Sequence, residues 1–283
     1  MNVTPTTYQE DQKDPRPIGV FDSGVGGLTV LKGLVELLPY ENWIYLGDTA
    51  RLPFGTKSPE TIKNYTKQNL KFLAQRNCKA FVIACNSAST QFSEHSFENI
   101  PVFNVIDPGV EAAIDKGLNL KMGIIGTKAT IKSRIYENKL KTKNFKGPIY
   151  SEACPLFVPI VEEGLLEGPI CQLIIDKYLK NLKKEKIEAL ILACTHYPLL
   201  KKSLREYFDY HLEFISSEKF LAEAITKSHV KLNGNFSKTQ SIQILTTDDY
   251  KNVEELAKNI LSSNSISKTF PQINFETADL IKN

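Results

Sequence analysis

No apolar run in this chain of 283 residues approaches the ~20 residues of a membrane span. The first seventeen residues are polar and proline-containing, without the apolar core of a secretion signal. No membrane partner is expected. Charge of one sign is scarce too. With 35 Lys and Arg against 32 Asp and Glu, the net charge of +3 is too weak a field to point to nucleic acid. The densest basic stretch, residues 177–186, is interrupted by Glu185 and reads as a solvated helix face. Five cysteines (Cys78, Cys85, Cys154, Cys171, Cys194) form no CxxC and no regular ladder. Their odd number argues against a disulfide framework and for a reducing, cytoplasmic setting. What remains is an ordinary globular composition, 42% hydrophobic and 24% charged, long enough for one large domain or two smaller ones.

Short aliphatic runs alternate with helical patterns from Ile18 onward. Residues 18–21, 43–46, 80–84, 102–105, 122–125, a segment near 148–151, and 189–193 read as strands. Between them, residues 28–38, 59–76, 109–116, a stretch from Thr130, and 171–182 read as helices. This alternation predicts an α/β architecture with mainly parallel sheets built from βαβ units. Residues 1–16 read as a tail. The loop Ile106-Asp107-Pro108-Gly109 offers a crossing between two lobes, because Pro and Gly punctuate there. A second crossing near residues 214–218 would return the chain. The predicted division is 17–108 plus 217–283 for one lobe and 109–216 for the other, with a site in the cleft between them.

Two cysteines share a setting. Cys85 follows Ala80-Phe81-Val82-Ile83-Ala84 and precedes Asn86-Ser87; Cys194 follows Ala189-Leu190-Ile191-Leu192-Ala193 and precedes Thr195-His196. They lie 109 residues apart, which reads as an internal repeat with one thiol per lobe. Ligands of open α/β sheets bind beyond the carboxyl ends of the strands, where both thiols would lie. One thiol there points to a nucleophile. Two in equivalent places point to an acid and a base on opposite sides of a substrate. Such a pair suits inversion at the α-carbon of an amino acid, a very weak carbon acid that must lose its proton on one face and regain one on the other. A cysteine pKa of ~8.5 leaves both thiolate and thiol accessible after modest tuning.

Other residues fit around that pair. Asp22 and Ser23 end the first strand, and Gly24, Gly26 and Gly27 then let backbone amides approach an anion. No Lys-Ser/Thr follows, so this is not a Walker loop, nor is it a clean GxGxxG. Asp22 is a candidate to bind an ammonium group or to take a proton from Cys85; His196 is its counterpart beside Cys194. Thr127 and Thr130 offer hydroxyls and amides suited to a carboxylate. A lone cysteine after an aliphatic run is usually a small buried hydrophobe, which is the reading for Cys78, Cys154 and Cys171.

The runs Asp22-Ser23-Gly24-Val25-Gly26-Gly27-Leu28, Gly47-Asp48-Thr49-Ala50-Arg51, Ala84-Cys85-Asn86 and Ala193-Cys194-Thr195-His196-Tyr197-Pro198-Leu199-Leu200 resemble those of glutamate racemase. The resemblance implies two α/β lobes and a cofactor-independent enzyme, without a metal, making D-glutamate for peptidoglycan. By position, Cys85 and Cys194 would be the two bases, with Asp22 and His196 assisting them. Asp22, Ser23, Phe54, Gly55, Asn86, Ser87, Thr127, Thr130, Thr195 and His196 would contact substrate. One acidic residue is expected from the stretch 154–164, with Glu163 favoured over Glu162. A homodimer is implied as well. The chain departs from the usual pattern in having Pro53-Phe54-Gly55 where the family has Pro-Tyr-Gly, and Ser87 where it has Thr. Three alternatives stay open: a relative acting on aspartate or another amino acid, an amino-acid-binding protein without turnover, and a dithiol redox protein. The last requires cysteine Cα atoms within ~7 Å of each other.

Overall fold

Aliphatic runs too short for helices fold as strands covered on both faces, as parallel sheets require. The computed structural model describes residues 14–233, 241–262 and 273–280. The chain begins β1 (Ile18–Asp22), α1 (Leu28–Leu37), β2 (Trp43–Gly47), α2 (Pro59–Ala74), β3 (Ala80–Ile83), α3 (Asn86–Ser89), β4 (Ser96–Phe97) and β5 (Ile100–Asn104). It continues through α4 (Ile106–Lys116), β6 (Met122–Gly126), α5 (Lys128–Ser133), α6 (Ile135–Thr142), β7 (Ile149–Ala153), α7 (Phe157–Glu162), α8 (Pro169–Lys184) and β8 (Ala189–Ala193). It closes with α9 (Lys201–Phe208), β9 (Glu213–Ile215), α10 (Glu218–Lys227), β10 (Ile242–Thr246), α11 (Lys251–Leu261) and β11 (Ile273–Thr277).

Among the described residues these strands form two sheets, ordered β11-β10-β2-β1-β3-β5-β4 and β7-β6-β8-β9. Every pairing is parallel except the short β4–β5 pair. The order β2-β1-β3-β5 of the larger sheet recurs as β7-β6-β8-β9 in the smaller, so the internal repeat is topological. In each sheet the strand order reverses between the first strand and the third, β1 and β3 or β6 and β8, successive strands being added on opposite sides of the first. That is where α/β folds bind ligands. Cys85 lies just past β3 and Cys194 just past β8.

Helices pack on both faces of each sheet. In the larger lobe Trp43, Tyr45 and Val82 face α1, α10 and α11, while Phe21, Phe81 and Leu46 face α2. In the smaller lobe Leu190 and Cys194 join the side chains of α7, α8 and α9, and Ile124 and Ile191 those of α4 and α6. Trp43, Tyr45, Phe21 and Phe81 are wholly buried; burying a large apolar side chain contributes roughly 1.5–3 kcal/mol.

Two expectations change. Ile106-Asp107-Pro108-Gly109 is the first turn of α4 rather than a loop. Proline is tolerated in a first turn, where its missing N–H has no intrahelical partner, and Asn104 Oδ1 accepts from the N–H of Ile106 at 2.9 Å. Residues 14–16 of the expected tail are tied down: the Lys79 ammonium donates to the Asp14 carbonyl at 2.6 Å and the Asn42 amide to that of Pro15 at 2.8 Å. Residues 1–13 lie outside the described residues. The chain also returns after β9, as α10 packs on α1 and α4 and β10 pairs with β2.

Candidate active site

The site lies where the carboxyl ends of the two sheets meet. Ser23, Phe54, Gly55, Cys85, Asn86, Ser87, Thr127, Cys194, Thr195 and His196, with Leu52, Pro53 and Val158, enclose one cavity of about 10 Å³. That volume holds about one water, far less than an amino acid. Both thiols line it, and all five cysteines are free.

On the Cys85 side, the Ala88 N–H donates to the sulfur at 3.5 Å, and the thiol lies 3.5 Å from Ser23 Oγ. Burial pushes the Cys85 thiol up to about 12, and the charge of Asp22 adds to the shift. Asp22 is fully buried behind the cavity. Its Oδ2 accepts from the Gly24 N–H at 3.0 Å and its Oδ1 from the Thr195 hydroxyl at 3.2 Å. Burial raises its pKa from the ordinary carboxylate value, opposed by His196 and by the amides of Gly24 and Gly27. Tyr45 fixes the glycine turn by donating to the Gly24 carbonyl at 2.6 Å.

On the Cys194 side, His196 is 1% exposed, and its Nε2 meets Glu162 Oε1 in a short hydrogen bond. Burial opposes the imidazolium, but hydrogen bonds to Cys194 and Glu162, with their charge, raise its pKa to about 10. The acidic partner is therefore Glu162, not Glu163. The reason is helical phase. Val158 lines the cavity, and on α7 the residue four further on shares its face. Glu163 caps the helix and is exposed.

A chain of hydroxyls crosses between the lobes: Ser87 Oγ is 2.8 Å from Thr127 Oγ1, which is 3.1 Å from Thr130 Oγ1. Thr130 thus stands behind Thr127. Tyr136, on α6, donates to Asn86 Oδ1 at 2.6 Å and so turns that amide's N–H groups the other way. Thr29 donates to the Thr195 carbonyl at 3.1 Å. Two glycines permit the close approach. A methyl group at Gly26 would overlap the His196 ring, and one at Gly55 would overlap Thr127. The Phe54 ring is buried between Phe21 (6.0 Å) and Tyr65 (5.5 Å), so it is Gly55 that faces the other lobe.

Tyr136, Tyr45 and Leu52 are site residues that sequence reasoning missed; Glu162 is there the less favoured of the two acids, and its spacing from Val158 is the signal that selects it. Asp48, quoted in the sequence only within the run 47–51, has no role assigned there. It is wholly buried at the end of β2 and accepts from Arg51 Nε at 2.8 and 2.9 Å, Asn69 Nδ2 at 2.9 Å and Thr247 Oγ1 at 3.1 Å. This bracket holds the segment leading to Leu52, Phe54 and Gly55. Among the described residues, no three His, Cys, Asp or Glu side chains converge as a metal site would need.

The profile of the Asp/Glu/hydantoin racemase family matches residues 18–225. The glutamate racemase of Aquifex aeolicus is 44% identical over 246 residues, 86% of this chain and 93% of that protein. Among solved structures, glutamate racemase from Francisella tularensis in complex with D-glutamate superposes with a TM-score of 0.82 at 36% identity, covering 95% of this chain and 99% of that one. A glutamate racemase isoform from Bacillus anthracis gives 0.84 at 33%, covering 94% and 98%.

Proposed function

We propose, from the premise that this chain belongs to the Asp/Glu/hydantoin racemase family, that it interconverts L- and D-glutamate without a cofactor, by proton exchange with Cys85 and Cys194. The observation that carries this reading is the pair of thiols following equivalent strands of the two lobes and lining one cavity. The substrate's α-carbon lies between them. A thiolate on one side takes the α-proton, the C–H electron pair stays on the substrate as a carbanion delocalised into its carboxylate, and the thiol opposite donates a proton to the other face. One S–H bond forms and one breaks, so the protein ends with its sulfur protonation exchanged and resets by the reverse reaction or through water.

The flanking groups serve the two faces differently. Cys85, raised to about 12, is a thiol at neutral pH and acts as the acid on its face. His196 stays cationic to about 10 and balances negative charge on the Cys194 side, with Glu162 orienting its ring. Ser87, Thr127 and the Asn86 amide suit the α-carboxylate, and Asp22 and Ser23 the ammonium end. The lobes divide just before α4, which begins at Ile106, and near residues 216/217. D-glutamate production serves peptidoglycan synthesis, and five free cysteines suit a reducing cytoplasm. Two chains pair as a homodimer, for which exposed Ile170 (56%) and Leu173 (71%) on α8 provide apolar surface. Among the described residues, no helix is long and apolar enough to cross a membrane.

The test is circular dichroism of L-glutamate, and separately L-aspartate, incubated with the protein and no added cofactor. Decay of the glutamate signal to zero with aspartate unchanged is expected. A flat glutamate trace from folded, reduced protein would defeat the reading.

A further inference from the structure

The cavity between the thiols is too small for an amino acid, yet a much larger groove lies beside it. Gly55 borders both. This outer groove, about 680 Å³, is within the size range of small-molecule sites. Its walls come from both lobes: the turn Phe54–Thr56 and the start of α2 on one side, α5 on the other. They carry Lys57, Lys128 and Lys132 and no carboxylate, over an apolar floor that includes Pro59, Ile62 and Ala129. Lys128 and Lys132 are four residues apart and share a face of α5. None of the three lysines forms an ion pair among the described residues. In a chain whose acids and bases nearly balance, three unpaired cations around one groove mark a local field.

We infer that this groove is an antechamber, in which Lys57, Lys128 and Lys132 capture the two carboxylates of the amino-acid substrate before the lobes part at the Gly55–Thr127 contact and admit it. The inference rests on the racemase reading and adds a binding step to it. The cations act on the approaching anion and not on the reacting carbon, so they govern kcat/KM and leave kcat alone. Because the two enantiomers are equal in free energy, the Haldane relation requires kcat/KM to change equally for L- and D-glutamate.

The experiment compares the full-length protein with the triple variant Lys57→Gln/Lys128→Gln/Lys132→Gln and with Lys→Arg at the same positions, measuring both enantiomers across ionic strength. The Gln variant is expected to melt near the wild type, to keep kcat within about twofold, and to lose roughly three- to tenfold in kcat/KM at low salt for both enantiomers. Its dependence of kcat/KM on salt should flatten, and wild-type values should fall toward it as screening shortens to ~8 Å near 0.15 M. The Arg variant should behave as wild type. Wild-type kcat/KM and salt slope in the Gln variant would overturn the antechamber alone, as would an equal fall in kcat. A wild-type protein inert toward glutamate would overturn the racemase reading and the antechamber together.

Discussion

Replacing Glu162 by Gln isolates the charge that keeps His196 protonated. The change keeps the side chain's shape and a hydrogen-bonding oxygen while removing the negative charge beside Nε2. His196 is raised from 6.5 to about 10, with Cys194 and Glu162 both contributing against the cost of burial. A hydrogen bond to a charged group contributes about 1.5–3 kcal/mol, and one pKa unit corresponds to about 1.4 kcal/mol. Glu162 keeps 23% exposure, which screens part of this. The expected shift is therefore about 1–2 units downward. The sign follows from the direction of the shift. His196 carries its charge below its folded-state pKa and loses it above, so in Glu162→Gln the loss moves to lower pH. The alkaline limb of the pH–rate profile moves acidward by the same amount, with kcat down roughly tenfold to a hundredfold. Folding stability linked to His196 is complete below about pH 6.5 and lost as pH rises through about 10; the variant shortens that window from its upper end. NMR titration of the imidazole and a pH series of kcat read both effects. An unshifted profile in Glu162→Gln, or a larger effect from Glu163→Gln, would refute the reasoning.

Cys85→Ser and Cys194→Ser should each abolish racemisation, yet each should still eliminate a good leaving group from one enantiomer of a β-substituted glutamate; equal handling of both enantiomers would contradict one base per face. Asp48→Asn loosens the bracket around Arg51 and should raise KM about tenfold and lower the melting temperature, since each charge-assisted bond is worth about 1.5–3 kcal/mol; an unchanged KM would remove Asp48 from the account. Lys79 and Glu41 form a buried pair at 2.5 Å, with side chains 1% and 3% exposed. Lys79→Met should cost about 3–5 kcal/mol and lower Tm by roughly 6–20 °C, whereas adding Glu41→Leu should restore most of it. A double variant no better than the single would show that packing, or the Asn233 N–H that Glu41 accepts at 2.6 Å, rather than the stranded charge sets the cost.

The strands were legible because parallel strands covered on both faces must be continuously apolar, as Ala80–Ile83 and Ala189–Ala193 are. The thiols could be placed from the same pattern, since each follows its strand directly. What the pattern missed depends on three-dimensional phase or on distant partners. Glu162 and Glu163 are adjacent acids, and only the register of α7 separates them. The first turn of α4 resembles a loop in composition because proline suits both. Strand β10 joins β2 from about 200 residues away, and no local signal records that pairing. Phe54 departs from the family's tyrosine, but its ring lies in the core between Phe21 and Tyr65.

The central claim, one thiol per face, is tested most directly by racemising L-glutamate in D2O and stopping the reaction at a few per cent conversion. Two bases predict that deuterium at the α-carbon appears in the D-glutamate formed while the remaining L-glutamate keeps its hydrogen. Deuterium appearing equally in recovered L-glutamate and in product would mean a single base serving both faces and would contradict the account.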